Sequence, residues 1–344
     1  LQKAVRRDLT RLMKQLLKDH PGTAARCRQM AIAANTTMLH LLMGWPCDGL
    51  GDWPFHPVSL GGKTYRAQEV LGPQSPLADA TVTLLPGMST YVGADITAGI
   101  WQCGLASSDD VSLFVDLGTN GEMVLGNKDQ RFIASAPAGP ALEGGKLTWG
   151  TGSVPGAICG VRIERGRAKV RTIDHAVPVG ICGTGILEAM AGLVREGLVD
   201  ETGKLVEPYF HKGFPLASTL DYQRITLSQQ DIREIQMAKS AIRAGIESLI
   251  ERSGISRQRV HQVFLAGGFG YYLDPQKAAV IGLLPADLAE RTTAVGNTSL
   301  KGAIGLLTGA VTLEELQAIA AGAEEIVLGN DEAFQRLYID YLNF

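Results

Sequence analysis

The 344 residues include 45% hydrophobic and 19% charged side chains and 41 glycines, which excludes a disordered polymer and gives enough chain for two or three domains with their own cores. A formal charge of -3, with no stripe of Lys and Arg, excludes the electrostatic footprint of a nucleic-acid binder, and no apolar run reaches the ~20 residues of a membrane helix. The first twenty residues are charged rather than a signal-peptide core, so a cytoplasmic protein is expected; opening at Leu1 rather than Met, the chain is expected to be a trimmed or truncated product.

Val5, Leu9, Leu12 and Leu16 fall at spacings of four, three and four, which predicts an amphipathic helix over residues 1–19 with those four on its buried face. Arg28 to Ala33 reads as a strand, and Asn35-Thr36-Thr37 as a helix start before Met38-Leu39-His40-Leu41-Leu42. From Gly44 to Asp79 proline and glycine break the pattern, so an irregular insertion is expected. Order returns at Val82 to Pro86, then at Val92-Gly93-Ala94-Asp95 leading into a helix up to Trp101, and Ser107 to Asp110 forms a loop closing a first lobe.

A second lobe begins with the strand Val111 to Asp116, the turn Leu117 to Glu122 and the strand Met123 to Asn127. Ser228 and Asp231 form a capping box for a helix running to Arg252, with Ile232, Ile235, Ile242, Ile246 and Leu249 on one face. A strand from Val260 to Leu265 delivers the chain to Ala266-Gly267-Gly268-Phe269-Gly270. The lobes are expected to span 1–109 and 110–310, with a helical extension over 311–344. Short similarities support a duplication: Met30–Thr37 resembles Val263–Gly270, Leu84–Pro86 resembles Leu283–Pro285, and Val92-Gly93 with Gly99 resembles Val295-Gly296 with Gly302.

Three glycine-rich turns carry the chemistry. In Asp116-Leu117-Gly118-Thr119-Asn120-Gly121-Glu122 the glycines let backbone N–H groups approach an anion, Thr119 and Asn120 add donors, and Asp116 is placed to hold Mg2+. The same Asn-Gly pair also fits an ordinary hairpin. Gly180-Ile181-Cys182-Gly183-Thr184-Gly185 leads into a helix from Ile186 to Glu196, where backbone donors and a helix N-terminus point together at an anion; a close-packed helix entry fits equally well. Gly267-Gly268-Phe269 offers bare backbone on which an adenine ring can lie. Asp95, Asp116, Glu122 and Glu143 are the carboxylates available to act on a water or a metal, and Lys239 and Arg243, four apart on one helix, can flank a nucleotide base or form a solvated face. The five cysteines, Cys27, Cys47, Cys103, Cys159 and Cys182, form no C-x-x-C pair and read as free thiols of a reducing compartment. The six histidines, among them His40, His56 and His175, form no G-x-S-x-G or H-E-x-x-H motif and read as surface or satisfied core residues.

Together these segments resemble the C-terminal region of the reductive activators of corrinoid proteins, within the superfamily of acetate and sugar kinases, heat-shock ATPases and actin. The resemblance rests on Ala34–Met38 with His40–Leu42, Val92–Asp95, Asp116–Glu122 with Val124–Asn127, Ala138–Gly144, Gly180–Gly185, Asp231–Glu234, and Leu265–Gly270 with Tyr272–Pro275, in that order over nearly the whole chain. It implies an α/β, actin-like ATPase fold of two ribonuclease-H-like lobes, the first truncated, with ATP and Mg2+ between them. It assigns Asp116–Gly121 as the second phosphate loop, Leu265–Gly270 as the adenosine loop, and Val92–Asp95 and Val295–Asn297 as connecting segments. The implied activity couples ATP use to reduction of Co(II) to Co(I) on a corrinoid protein, either a corrinoid iron-sulfur protein or the corrinoid subunit of a methyltransferase system. The electron would come from an iron-sulfur cluster in an N-terminal domain that these residues do not include. The family's first Asp-x-Gly-Thr-Thr loop is likewise expected upstream of the helix at 1–19. Ala34 where the family favours Gly, Leu142 where Phe is usual, and Trp149-Gly150-Thr151-Gly152 depart from the pattern. A small-molecule kinase and a non-catalytic docking module share the same architecture, and a homodimer is compatible with it.

Overall fold

The structure is a computed structural model that describes residues 1–268 and 273–344. They form two compact units, one from Leu1–Asp109, Asn127–Arg131 and Asn297–Glu325, the other from Asp110–Gly126, Phe132–Gly296 and Ile326–Phe344.

The first unit opens with helix α1 (Gln2–Asp19), strand β1 (Gln29–Ile32) and helix α2 (Thr36–Met43), whose N-cap Asn35 accepts from the Met38 N–H. Val5 and Leu9 of α1 pack on the core as expected, but Met13 and Leu17 complete the buried stripe, while Leu12 and Leu16 are 51% and 63% exposed. Both sets satisfy helical spacing, and only packing selects between them. The segment expected to be irregular holds α3 (Asp48–Gly51), β2 (Lys63–Arg66) and α4 (Ala67–Leu71). β2 pairs antiparallel with β3 (Thr81–Leu84), which pairs in parallel with β1. Helix α5 (Ala94–Gln102) follows. His40 is a satisfied core residue: its Nε2 accepts from the Val58 N–H, so Nδ1 carries the proton given to the Thr36 carbonyl.

In the second unit, β4 (Val111–Leu117), β5 (Gly121–Gly126) and β6 (Arg131–Ala136) are successive neighbours in one sheet. A second sheet joins β7 (Ala157–Glu164), β8 (Arg167–Thr172) and β9 (Gly180–Ile181), with β7 central. Helix α6 (Gly183–Arg195) packs on β7, α7 (Tyr209–Lys212) is a single turn, and β10 (Phe214–Ser218) pairs with β11 (Arg224–Leu227). Helix α8 (Gln229–Ser253) has the expected Ser228/Asp231 capping box, and all five expected apolar residues are fully buried. At about 1.5–3 kcal/mol for each buried aliphatic side chain, that stripe anchors the helix. Strand β12 (Val260–Ala266) lies parallel to β4 on one side and to β13 (Thr292–Gly296) on the other, with α9 (Pro275–Val280) between them in sequence.

The chain then returns to the first unit with α10 (Thr298–Thr308), α11 (Leu313–Ala321) and the short β14 (Ala323–Glu325), before α12 (Glu332–Asp340) closes the second. Residues 297–325 therefore group with the first unit, not with the second lobe and a C-terminal extension. Two glycines cause this: a Cβ on Gly302 would stand 2.3 Å from the Ala98 Cβ, and one on Gly305 2.3 Å from the Trp101 ring, so bare backbone lets α10 lie against α5. Of the internal similarities, β1 and β12 are both strands and Gly99 and Gly302 both lie in packed helices, whereas Leu283–Pro285 lies between α9 and a 3-10 turn and is not a strand like the stretch ending at Leu84.

Candidate functional site

Strand β4 brings Asp116 to its end, where the chain reverses into β5 with Asp116 opposite Glu122 and Leu117 opposite Gly121. Opposed residues of an antiparallel pair share a face, so the two carboxylates stand side by side. The Gly118 N–H donates to the Asn120 carbonyl at 3.0 Å, closing the turn. A Cβ on Gly121 would fall 2.0 Å from Ile242 Cδ1 of α8, so a side chain there would force the buried Ile242 to shift. The hairpin and the phosphate-loop readings both predict this turn.

Glu143 ends a 3-10 turn, Pro140–Glu143, and its exposed carboxylate accepts the Thr119 hydroxyl at 2.6 Å. Behind it the chain is locked. A Cβ on Gly144 would lie 2.7 Å from the Thr151 carbonyl, and one on Gly150 1.8 Å from that of Gly144. Thr151 N–H in turn donates to Ile181 O at 2.9 Å, and Ile181 N–H to Trp149 O at 2.8 Å. The unusual Trp149–Gly152 segment thus ties the Glu143 turn to strand β9, which leads into α6.

Helix α6 starts earlier than expected, at Gly183, so Gly183, Thr184 and Gly185 form its first turn, not a preceding loop. N–H groups in a first turn have no intrahelical acceptor, and the N-cap Cys182 supplies no side-chain cap. Gly185 is required for packing, because a Cβ would stand 2.1 Å from Ile158 O. The close packing fits the helix-entry reading of this turn.

The third turn meets the first. Gly267 has φ +106, and a Cβ on it would lie 2.3 Å from Leu117 O and 3.0 Å from Asp116 Oδ1. This follows from strand order, since Ala266 of β12 pairs with Asp116 of β4. Gly268 and Thr184 line one cavity of about 530 Å3, together with Cys159, Cys182, Arg171, Asp174 and His175. Asp174 and His175 both adopt positive φ, 56 and 54, a strained arrangement found in the wall of functional clefts. None of these lining residues except Thr184 and Gly268 stood out in sequence; Cys182, inside the glycine-rich turn, carried the only signal. Phe269 lies outside the described residues.

Asp95 belongs to the first unit, at the start of α5, where its Oδ1 accepts from Ile96 N–H and burial pushes its carboxyl above the usual carboxylate range. Gly93 before it packs on the Ala34-Asn35 turn, a Cβ there falling 2.4 Å from Asn35 Cα. Lys239 is 1% exposed beneath the C-terminal tail, donating to the Asn343 carbonyl with the Phe344 ring centroid 5.0 Å from its ammonium. Arg243 lies 4.5 Å from the Tyr341 ring centroid and bonds Glu247 and Leu284 O. Both cations are engaged by the protein itself, not by a solvated face or an open base-flanking position. Burial, with Arg243 adding to it, pulls Lys239 down to about 8. Among the described residues no group of three or more His, Cys, Asp or Glu is placed to hold a metal ion. None of the described helices is long and apolar enough to cross a membrane.

Residues 110–344 match the family described as the C-terminal domain of RACo, the ASKHA domain, and residues 1–108 match the RACo middle region. The chain is 31% identical over 358 residues to the corrinoid activation enzyme RamQ of Eubacterium limosum, covering 98% of this chain and 60% of that protein. It is 28% identical over 311 residues to the [Co(II) methylated amine-specific corrinoid protein] reductase of Methanosarcina barkeri, covering 83% of this chain and 56% of that one. Among solved structures, a reductive activator for corrinoid, iron-sulfur protein superposes over 100% of this chain and 56% of its own, with a TM-score of 0.92 and 33% identity. The chain thus spans less than two thirds of the length of these proteins, and its residues 110–344 are the actin-like ASKHA domain.

Proposed function

The chain belongs to the RACo family, and from that membership we propose that it is the ATP-binding part of a protein that reduces Co(II) to Co(I) on a corrinoid protein. The names of the similar proteins support the reaction: one is a corrinoid activation enzyme and one a Co(II) corrinoid protein reductase. The observation that carries the nucleotide reading is the convergence of three glycine-rich turns of the second unit, Gly267 against Asp116-Leu117 and Gly268 with Thr184 in one cavity.

Each turn has a role that its chemistry supports. Thr119 and Asn120, held in the turn between Gly118 and Gly121, and the first turn of α6 offer backbone donors to phosphate oxygens, a helix N-terminus adding its partial positive charge. Asp116, paired with Glu122, is the carboxylate for Mg2+, which takes one or two protein carboxylates and otherwise water and phosphate. Glu143 is held by Thr119 where it can accept a proton from an attacking water. Gly267-Gly268 give the base a flat surface. Asp95 belongs to the connecting segment of the first unit, where its raised pKa suits a proton carrier rather than a metal ligand.

The partner is a corrinoid protein, of the iron-sulfur or the methyltransferase type, and the electron reaches it from an iron-sulfur cluster outside these residues. ATP can favour the reducing conformation only through a difference in its affinity for two states. Calorimetry with MgATP tests the site: Asp116→Asn should weaken binding at least about tenfold, the loss of about 1.4 kcal/mol, with the thermal midpoint unchanged. Unchanged affinity would remove Asp116 from the metal site.

A further inference from the structure

The cavity that holds Thr184 and Gly268 also holds two of the five cysteines. β7 and β9 pair in parallel with Ala157 against Gly180 and Ile158 against Ile181. The Cys182 N–H donates to Ile158 O at 3.1 Å, completing the Ile158–Ile181 pair, and Cys159 and Cys182 are the residues that follow this pair on the two segments. Ile158 and Ile181 lie in the hydrophobic core, whereas the residues that follow them, Cys159 at a register shift of β7 and Cys182 at the N-cap of α6, both line the cavity. Neighbouring strands stand about 4.8 Å apart, inside the roughly 4.4–6.8 Å between Cα atoms that a disulfide spans.

We infer that Cys159 and Cys182 act as a dithiol pair whose oxidation to a disulfide closes the nucleotide cavity. The two are unequal in the way a stepwise exchange requires. Cys159 is partly exposed, its thiol donating to the Arg171 carbonyl at 3.5 Å, whereas Cys182 is 3% exposed at the N-terminus of α6. Cys159 thiolate therefore attacks a small-molecule disulfide first, forming a mixed disulfide and releasing one thiol. Cys182 thiolate then attacks Cys159 Sγ and displaces the second. Two protein thiols and one disulfide become one protein disulfide and two small thiols, with no further oxidant. The new bond pins the first turn of α6 to β7 beside Thr184 and fills the space between that turn and Gly268. A protein that delivers low-potential electrons would thereby stop taking ATP when its surroundings become oxidising.

This inference rests on the nucleotide reading of the cavity, and the test separates the two. The full-length gene product is treated with oxidised glutathione, digested without reduction and mapped by mass spectrometry, and MgATP affinity is measured before and after oxidation. A Cys159–Cys182 linked peptide, with at least about a tenfold loss of affinity restored by dithiothreitol, is the expected result. Cys159→Ser should form no link and keep its affinity under oxidation, and Cys182→Ser should stop at the glutathione adduct on Cys159. Linkage of other cysteines, no linkage, or a link without loss of affinity overturns the inference. If the reduced protein binds no MgATP, the nucleotide reading fails separately, and the pairing is decided by the peptide map alone.

Discussion

The Thr119 hydroxyl donates to Glu143 Oε2 at 2.6 Å, fixing a carboxylate from the Pro140–Glu143 turn over the loop that follows Asp116. If Glu143 takes a proton from the attacking water, Glu143→Gln should slow ATP hydrolysis on the order of 100-fold while MgATP affinity changes by no more than a few-fold. Steady-state phosphate release and calorimetry measure both. A parallel loss of affinity and rate would make Glu143 a binding residue and leave the base to Glu122.

Gly267 and Gly268 are adjacent and behave oppositely. Gly267 has φ +106 and no room for a Cβ, whereas a Cβ on Gly268 meets nothing within 4 Å. Gly267→Ala should cost at least about 2 kcal/mol of stability, from backbone strain plus overlap with Leu117 O. Gly268→Ala should leave the thermal midpoint within about a degree and weaken only nucleotide binding, because its new methyl projects into the ligand's space. Equal destabilisation in both would contradict the loop geometry.

Lys239 gives a pH signature. Its pKa falls from 10.5 to about 8 on folding, so the folded state favours the neutral amine. The cost of burying the charge is fully present below about pH 8 and is relieved as pH rises from there toward 10.5, where the unfolded chain holds the extra proton. Stability relative to Lys239→Met should therefore rise between about pH 8 and 10, read from denaturant midpoints. A difference that stays flat across that window would mean the contacts to Asn343 and Phe344 hold the ammonium charged.

These features were unequally legible in the sequence. Helix α8 was plain because its capping box and its buried stripe agree, a case of consistent local signals. The buried face of α1 was not, because Leu12 and Leu16 keep helical spacing as well as Met13 and Leu17 do. Strand β2, Lys-Thr-Tyr-Arg, has no apolar alternation and exists through its pairing with β3, so it looked like part of an irregular insertion. The three glycine turns were each visible, but their meeting was not: it depends on β12 lying beside β4 and on the Trp149–Gly152 segment bridging to Ile181. Only the pairing of β7 with β9 brings the segments that carry Cys159 and Cys182 together across 23 positions of sequence, and no motif announces it.

The most direct test is the absorbance of a Co(II) corrinoid protein from the same source, incubated with the full-length gene product and a low-potential reductant, with and without MgATP. Conversion to Co(I) is expected with MgATP, none without it, and none with the Asp116→Asn variant. Co(I) formed equally without ATP, or no Co(I) with any corrinoid partner, would contradict it.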